Sequence, residues 1–194
     1  MGNLDDARAA LRSRLGKGAR FDAPQAPAET LAWARLGTAY FARKLGELSN
    51  EELDLPSRVA GWSRRHVIAH VGYQARHLAR LAEAARAGRG VEELAEAEAQ
   101  NEDVEFGATL PAHALRYLFR HSEVHLNVEW RDMDETAWSA SVTTLSGEVV
   151  HMRDTPWLRV REIWLRSVDL ANGASVLDFP APVRDRLHAG DIPA

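Results

Sequence analysis

Two pairs of polar side chains stand at helical spacing in this chain of 194 residues, His66 with His70 and Glu162 with Arg166. Residues four apart share one face of a helix, so each pair presents its groups on the same side. A carboxylate and imidazoles that face one interior can hold a divalent metal or form a buried polar cluster. Arg166 cannot act as a ligand, because a guanidinium has five N–H donors and no free lone pair.

Glu162 lies in an apolar stretch, where an unpaired buried charge would cost several kcal/mol. Arg166, four residues later, is the obvious partner, whereas we expect Asp169 to cap or bind the backbone near the helix end. A second histidine pair, His121 and His125, has the same spacing, and we interpret it as a solvated or half-buried face. We expect several tryptophans and arginines to form core or to line a cavity for an anionic substrate. They are Trp62, Trp130, Trp138, Trp157, Trp164, Arg153, Arg159 and Arg161.

The composition narrows the class of protein. The 24 Lys and Arg residues nearly balance the 28 Asp and Glu residues without a basic block, so we expect no nucleic-acid partner. The chain has no cysteine, which excludes disulfides and cysteine nucleophiles, and any thiol must come from a cofactor or substrate. We expect no membrane segment, because no apolar run approaches the roughly 20 residues that span a bilayer. We also expect no signal peptide. The expected location is therefore the cytoplasm.

Helical periodicity and stop signals predict four long helices, over residues 28–48, 64–87, 111–131 and 156–171. Ser63 is the expected N-cap of the second helix. β-Branched residues around Ser146 and Gly147 predict a short β-hairpin over 142–150, before the last long helix. Shorter helices are predicted over 3–15 and 91–100. The expected domains are an N-terminal helical extension and linker, 1–27, and an all-α four-helix bundle, 28–194.

Five segments in this order resemble the mycothiol-dependent maleylpyruvate isomerase family, whose members are DinB-like four-helix bundles. The segments are LAWARLGTAYF (31–41), GWSRRHVIAHVGYQA (61–75), NEDVEFGATL (101–110), HSEVHLNVEW (121–130) and PWLRVREIWLRSVDL (156–170). The resemblance extends over about residues 28–179. It also implies a further C-terminal domain in family isomerases, which we expect to be absent here.

In the family, a histidine of the AHV-type motif and a Glu-x-x-x-His on the last long helix hold a metal, usually zinc. The resemblance places the first histidine at His70 and the glutamate at Glu162. The position of the third ligand, the second histidine, is occupied by Arg166. Because catalytic zinc normally has three protein ligands, we expect no metal cofactor. The expected catalytic residues are then His70 or Glu162 as acid or base, with Arg166 as a fixed cation. The alternative is zinc retained by His70 and Glu162, with His66 as a replacement ligand.

The resemblance predicts a divergent isomerase, lyase or cyclase that acts on a small anionic or conjugated substrate. One alternative is a non-catalytic, small-molecule-binding module. Another is a zinc-dependent, thiol-using cis-trans isomerase or thiol transferase, for which the family implies mycothiol. The sequence leaves open whether the protein forms a homodimer. The predicted substrate contacts are His66, Tyr73, Asn101, Trp138 and Arg159.

Overall fold

The computed structural model describes residues 21–88, 104–143 and 148–190, together with 6, 7 and 10. These residues are mostly helical, with one two-stranded antiparallel sheet. The α-helices are α1 Ala28–Gly46, α2 Arg64–Ala87, α3 Val104–Ala108, α4 Ala112–Asp132, α5 Glu135–Ser139, α6 Thr155–Asp169 and α7 Ala181–Gly190; the strands are β1 Ser141–Thr143 and β2 Val149–His151; short 3₁₀ turns are Glu51–Asp54, Met152–Asp154 and Val176–Asp178.

The four predicted long helices correspond to α1, α2, α4 and α6, with every boundary within two residues of its predicted position. The predicted hairpin is also confirmed, because Val142 pairs with Val150 across β1 and β2. The helix predicted over 91–100 lies outside the described residues, and so does that over 3–15 except for 6, 7 and 10. None of the helices in the described ranges is both long and apolar enough to cross a bilayer.

The described residues fall into two compact units. The first takes its residues from Met1–Ala28, Ala75–Asn101 and His121–Thr155, and the second from Glu29–Gln74, Glu102–Arg120 and Pro156–Ala194. The domain boundary expected after residue 27 stays a prediction. The first unit has a core of large side chains from α2, α4, α5 and the hairpin region. Its fully or almost fully buried members are Leu81, Leu126, Trp130, Met133, Trp138, Val142 and Met152.

In the second unit, α1 and α6 approach so closely that their contact requires a glycine. A Cβ atom on Gly37 would lie 2.6 Å from Cγ2 of Ile163 and 2.7 Å from Nε1 of Trp164. The indole of Trp164 donates to the carbonyl of Trp33 at 3.2 Å, so its polar atom is satisfied inside the apolar contact. Other buried residues of this core are Leu31, Phe41, Ile68, Leu115, Val160, Val183 and Leu187.

Hydrogen bonds at two levels hold the first turns of α2 antiparallel to α6. Buried Arg64 donates from Nε to the carbonyl of Leu170 at 2.7 Å and from Nη2 to that of Ala171 at 2.8 Å. These carbonyls follow the end of α6, where a cation is favourable. Ten residues further along α2, Gln74 Nε2 donates to the carbonyl of Leu158 at 3.3 Å. The residues between these two levels therefore face each other across the α2–α6 contact.

Candidate functional site

Glu162 lies at the centre of a hydrogen-bonded cluster between α2 and α6. Its Oε2 atom is 3.0 Å from Nε2 of His70 and accepts from Nε of Arg166 at 3.1 Å. Arg166 also donates from Nη1 to Oδ2 of Asp169 at 2.7 Å. The four side chains are between 20% and 28% exposed, so the cluster is sheltered without being closed to solvent. The predicted pairing of Glu162 with Arg166 is confirmed, whereas Asp169 binds Arg166 and was expected to bind backbone.

Trp62 forms an aromatic wall over this cluster. Its ring centroid lies 5.5 Å from that of His70, and the guanidinium carbon of Arg166 lies 5.8 Å from it. A cation over an indole face is favoured by the ring quadrupole. Gly61, at φ +79°, allows the tight turn that brings Trp62 to this place just before α2. The wall therefore holds both the imidazole and the guanidinium in position.

The cluster fixes the charge of Glu162. Burial alone would raise the pKa of Glu162, but the hydrogen bond from His70 and the positive charges of Arg166 and His70 outweigh burial and lower the pKa to about 2. Burial alone would lower the pKa of Arg166, but the charges of Glu162 and Asp169 raise it overall. Because an ionised carboxylate only accepts, Nε2 of His70 must be the donor, and in neutral His70 the lone pair is on Nδ1.

Arg159 is buried in the same unit one turn before Glu162. Its Nη1 donates to the carbonyl of Val71 at 3.0 Å and to Oε1 of Gln74 at 2.6 Å. Burial lowers the pKa of Arg159 to about 9, and the charge of Glu162 opposes this effect. The side chain is 0% exposed, so the guanidinium braces α6 against α2, and its predicted substrate contact stays untested.

His66 uses both ring nitrogens within the second unit. The backbone N–H of Ser63, the residue before α2, donates to Nδ1 at 3.1 Å. In the neutral ring Nε2 therefore carries the proton, and it lies 3.1 Å from Oε2 of Glu105. The pairing resembles a capping box with histidine in place of glutamate, and it engages the nitrogens that a replacement ligand would need.

The other predicted substrate contacts are Tyr73, Asn101 and Trp138. Tyr73 is only 7% exposed and packs so closely on α3 that a Cβ on Gly107 would lie 2.6 Å from its Cε2 atom. Trp138 is fully buried in the first unit. Asn101 lies outside the described residues. The roles of these three residues stay predictions.

The cluster does not fit a three-ligand zinc site of the kind that the resemblance implies. His70 and Glu162 could each provide a ligand atom, but catalytic zinc normally has three protein ligands. The third position holds the guanidinium of Arg166, which donates to the same carboxylate oxygen and has no lone pair for a metal. A cation is thus already present beside Glu162, within the protein itself.

The low pKa of Glu162 makes a prediction for acid stability. A carboxyl whose pKa falls from 4.5 to about 2 on folding adds about 3 kcal/mol to the free energy of unfolding above pH 4.5. This stabilisation is lost as the pH falls towards 2. We expect the difference in unfolding free energy between the wild type and Glu162→Gln to shrink by about 3 kcal/mol over this range. Denaturant titrations at several pH values measure it, with exposed Glu148→Gln as the control. A difference that stays constant with pH would contradict the assignment.

Comparison with known proteins places these features in a family context. The family model of the mycothiol maleylpyruvate isomerase N-terminal domain matches residues 34–171. A crystal structure of the mycothiol-dependent maleylpyruvate isomerase is similar at 38% identity and a TM-score of 0.76. A histidine-to-alanine mutant of a mycothiol-dependent maleylpyruvate isomerase is similar at 39% identity and a TM-score of 0.78. Each alignment covers 85% of this chain and 68% of the other. No curated protein matches the chain. The predicted all-α, DinB-like fold class is confirmed.

Proposed function

This chain belongs to the family of the mycothiol maleylpyruvate isomerase N-terminal domain, and we propose that it is a divergent isomerase, lyase or cyclase within that family. Its substrate is a small anionic or conjugated carbonyl compound. The observation that carries the proposal is the hydrogen-bonded arrangement of His70, Glu162 and Arg166, in which an imidazole is oriented by a carboxylate that is ionised at neutral pH. Such an arrangement suits proton transfer at neutral pH.

His70 is the proposed acid–base group. Glu162 holds the Nε2–H, which leaves Nδ1 to accept a proton, and its negative charge stabilises the imidazolium that forms. Glu162 itself is too acidic to exchange protons at neutral pH, since its pKa is about 2. Of the two residues predicted as acid or base, we therefore assign the proton transfer to His70 and orientation to Glu162.

Arg166 is the proposed anion-stabilising group. Nε and Nη1 are bound to Glu162 and Asp169, and Nη2 makes no hydrogen bond to any of the described residues. The charges of Arg159 and Arg166 balance those of Glu162 and Asp169. A proton on His70 then leaves one net positive charge, which complements a carboxylate or an enolate oxygen. In the proposed step, a C–H proton beside the carbonyl passes to Nδ1 of His70, and the electron pair moves to the carbonyl oxygen.

We further propose that this chemistry proceeds without a metal in the cluster and that the substrate is the only small-molecule partner. The similar solved proteins are described as mycothiol-dependent, so a thiol-using reaction is the alternative. That alternative requires a thiol from outside the chain, which has no cysteine. The expected cytoplasmic location and the homodimer both stay predictions.

Solvent deuterium exchange tests the proposal directly. Untagged protein is incubated in ²H₂O with maleylpyruvate, with and without mycothiol, and proton NMR follows both the double bond and the acidic C–H. We expect thiol-independent incorporation of deuterium next to the carbonyl, because the proposed base returns a solvent-derived proton. A series of small conjugated keto acids extends the test to other substrates of the proposed class.

The other outcomes identify the alternatives. Conversion that requires both mycothiol and stoichiometric zinc would overturn the metal-free proposal in favour of the thiol-using isomerase or transferase. Binding of these anions without exchange or conversion would instead favour the small-molecule-binding module. Neither binding nor exchange with any of these anions would overturn the proposed substrate class.

A further inference from the structure

Three potential metal ligands converge in the first unit, and none of them is a residue that carries the proposed function. They are Glu83 on α2 and His125 and Glu129 on α4, and one ligand atom from each lies within 4.8 Å of the other two. His125 and Glu129 are four residues apart and share a helix face, and Glu83 approaches from the neighbouring helix. Helical bundles commonly build metal sites in this way, from carboxylates and histidines on facing helices.

The distances fit a shared metal better than hydrogen bonds. Nε2 of His125 is 3.4 Å from Oε1 of Glu83 and 3.7 Å from Oε1 of Glu129, both longer than ordinary hydrogen bonds. A neutral imidazole has one N–H and could satisfy only one of the two carboxylates. Tetrahedral zinc with ligands at about 2.0–2.1 Å places neighbouring ligand atoms about 3.3–3.4 Å apart, which matches the 3.4 Å between His125 and Glu83.

The charge of the cluster also favours a cation. Two carboxylates face one imidazole, and Arg86 offsets only one of them, through its ion pair with Oε2 of Glu129. Glu129 is only 8% exposed, and a buried carboxylate is stabilised by positive charge placed beside it. A divalent ion would offset the remaining negative charge.

The side chains around the cluster suit a ligand role. Arg86 binds the outer oxygen of Glu129, which leaves Oε1 directed at His125, an arrangement that orients ligating carboxylates in metal proteins. The ring of His121, one turn before His125, lies 6.4 Å away between centroids. Glu83 and His125 are 42% and 33% exposed, so an ion can enter from solvent and keep water as further ligands.

We infer that Glu83, His125 and Glu129 form a binding site for a divalent transition metal such as Zn²⁺. The donor set of one imidazole and two carboxylates suits zinc and cobalt, whereas Mg²⁺ prefers six oxygen ligands. This site shares no residue with the His70–Glu162–Arg166 cluster and does not depend on the proposed function. His121 is exposed and His125 is 33% exposed, which agrees with the solvated or half-buried face predicted for this pair, and the inferred site adds a role for His125.

Zinc and cobalt titrations of the untagged, full-length protein test this inference. We expect the protein to bind one equivalent of Zn²⁺ in competition with a chromophoric chelator. Bound Co²⁺ should show visible absorption bands, and Mg²⁺ at the same concentration should not displace Zn²⁺. His125→Ala and the more conservative Glu83→Gln should both abolish the stoichiometric ion. His113→Ala, which removes an exposed imidazole from the same helix, should leave it unchanged.

Two results would overturn the site. One is a folded wild type that binds no zinc, and the other is a zinc ion retained by both His125→Ala and Glu83→Gln. If zinc is instead lost in His70→Ala and kept in His125→Ala, the metal occupies the other cluster. That result would contradict both this site and the metal-free proposal, whereas loss of zinc in His125→Ala alone leaves the proposed function untouched.

Discussion

Replacing Arg166 with histidine is expected to turn the cluster around Glu162 into a tight zinc site. The substitution supplies a third ligand one helical turn after Glu162, opposite His70. The two existing ligand atoms are already 3.0 Å apart, close to the separation of about 3.3 Å that tetrahedral zinc requires. We expect a dissociation constant of about 1 μM or lower, corresponding to about −8 kcal/mol or better. Arg166→Gln should bind at least about 100-fold more weakly, because it removes the guanidinium without adding an imidazole.

The measurement is best made in a His125→Ala background, so that zinc bound between α2 and α4 does not contribute. Competition with a chromophoric chelator gives the affinity, and circular dichroism verifies that both variants are folded. A folded Arg166→His variant that binds zinc no better than Arg166→Gln would contradict the geometry inferred for the three positions. It would also mean that Arg166 does not stand where the family places its third ligand.

Sequence patterns were sufficient for the four long helices, the hairpin and the pairing of Glu162 with Arg166. The N-cap position of Ser63 and the glycines after α2 mark strong boundaries, and the predicted range of α2 matches the structure. Spacing alone also predicted that Glu162 and Arg166 would pair, since the contact is local to one helix. This contact is readable from the chain because it depends on helical periodicity rather than on the fold.

Contacts between distant segments could not be read in this way. The bond of His66 with Glu105 joins residues 39 apart, and the approach of Glu83 to His125 joins residues 42 apart. No helical spacing relates such residues, so His125 was paired with His121 on its own helix. One local contact was also predicted wrongly: Asp169 was expected to cap or bind the backbone near the helix end, but a guanidinium has donors for both carboxylates.

The strongest functional prediction concerns the proton-transfer group. On the deuterium-exchange reaction, His70→Ala should lower kcat/KM by about 10²- to 10⁴-fold, the usual contribution of a positioned acid–base group. Most of the loss should appear in kcat, because removing the base affects the transition state more than substrate binding. Glu162→Gln should also lower kcat, since an amide can donate to Nε2 and so favours the wrong tautomer of His70. Steady-state kinetics of the exchange, followed by NMR, measures both effects.

His113→Ala is the matched control, because it removes an exposed imidazole from α4, outside this cluster. It should retain wild-type kinetics. The double variant His70→Ala/Glu162→Gln should be little slower than His70→Ala alone, since Glu162 is assigned to act through His70 and has no base to orient once the imidazole is gone. Additive losses would mean that Glu162 contacts the reacting atoms independently. Full activity in a folded His70→Ala variant would mean that His70 is not the acid–base group. It would also contradict the role assigned to the cluster.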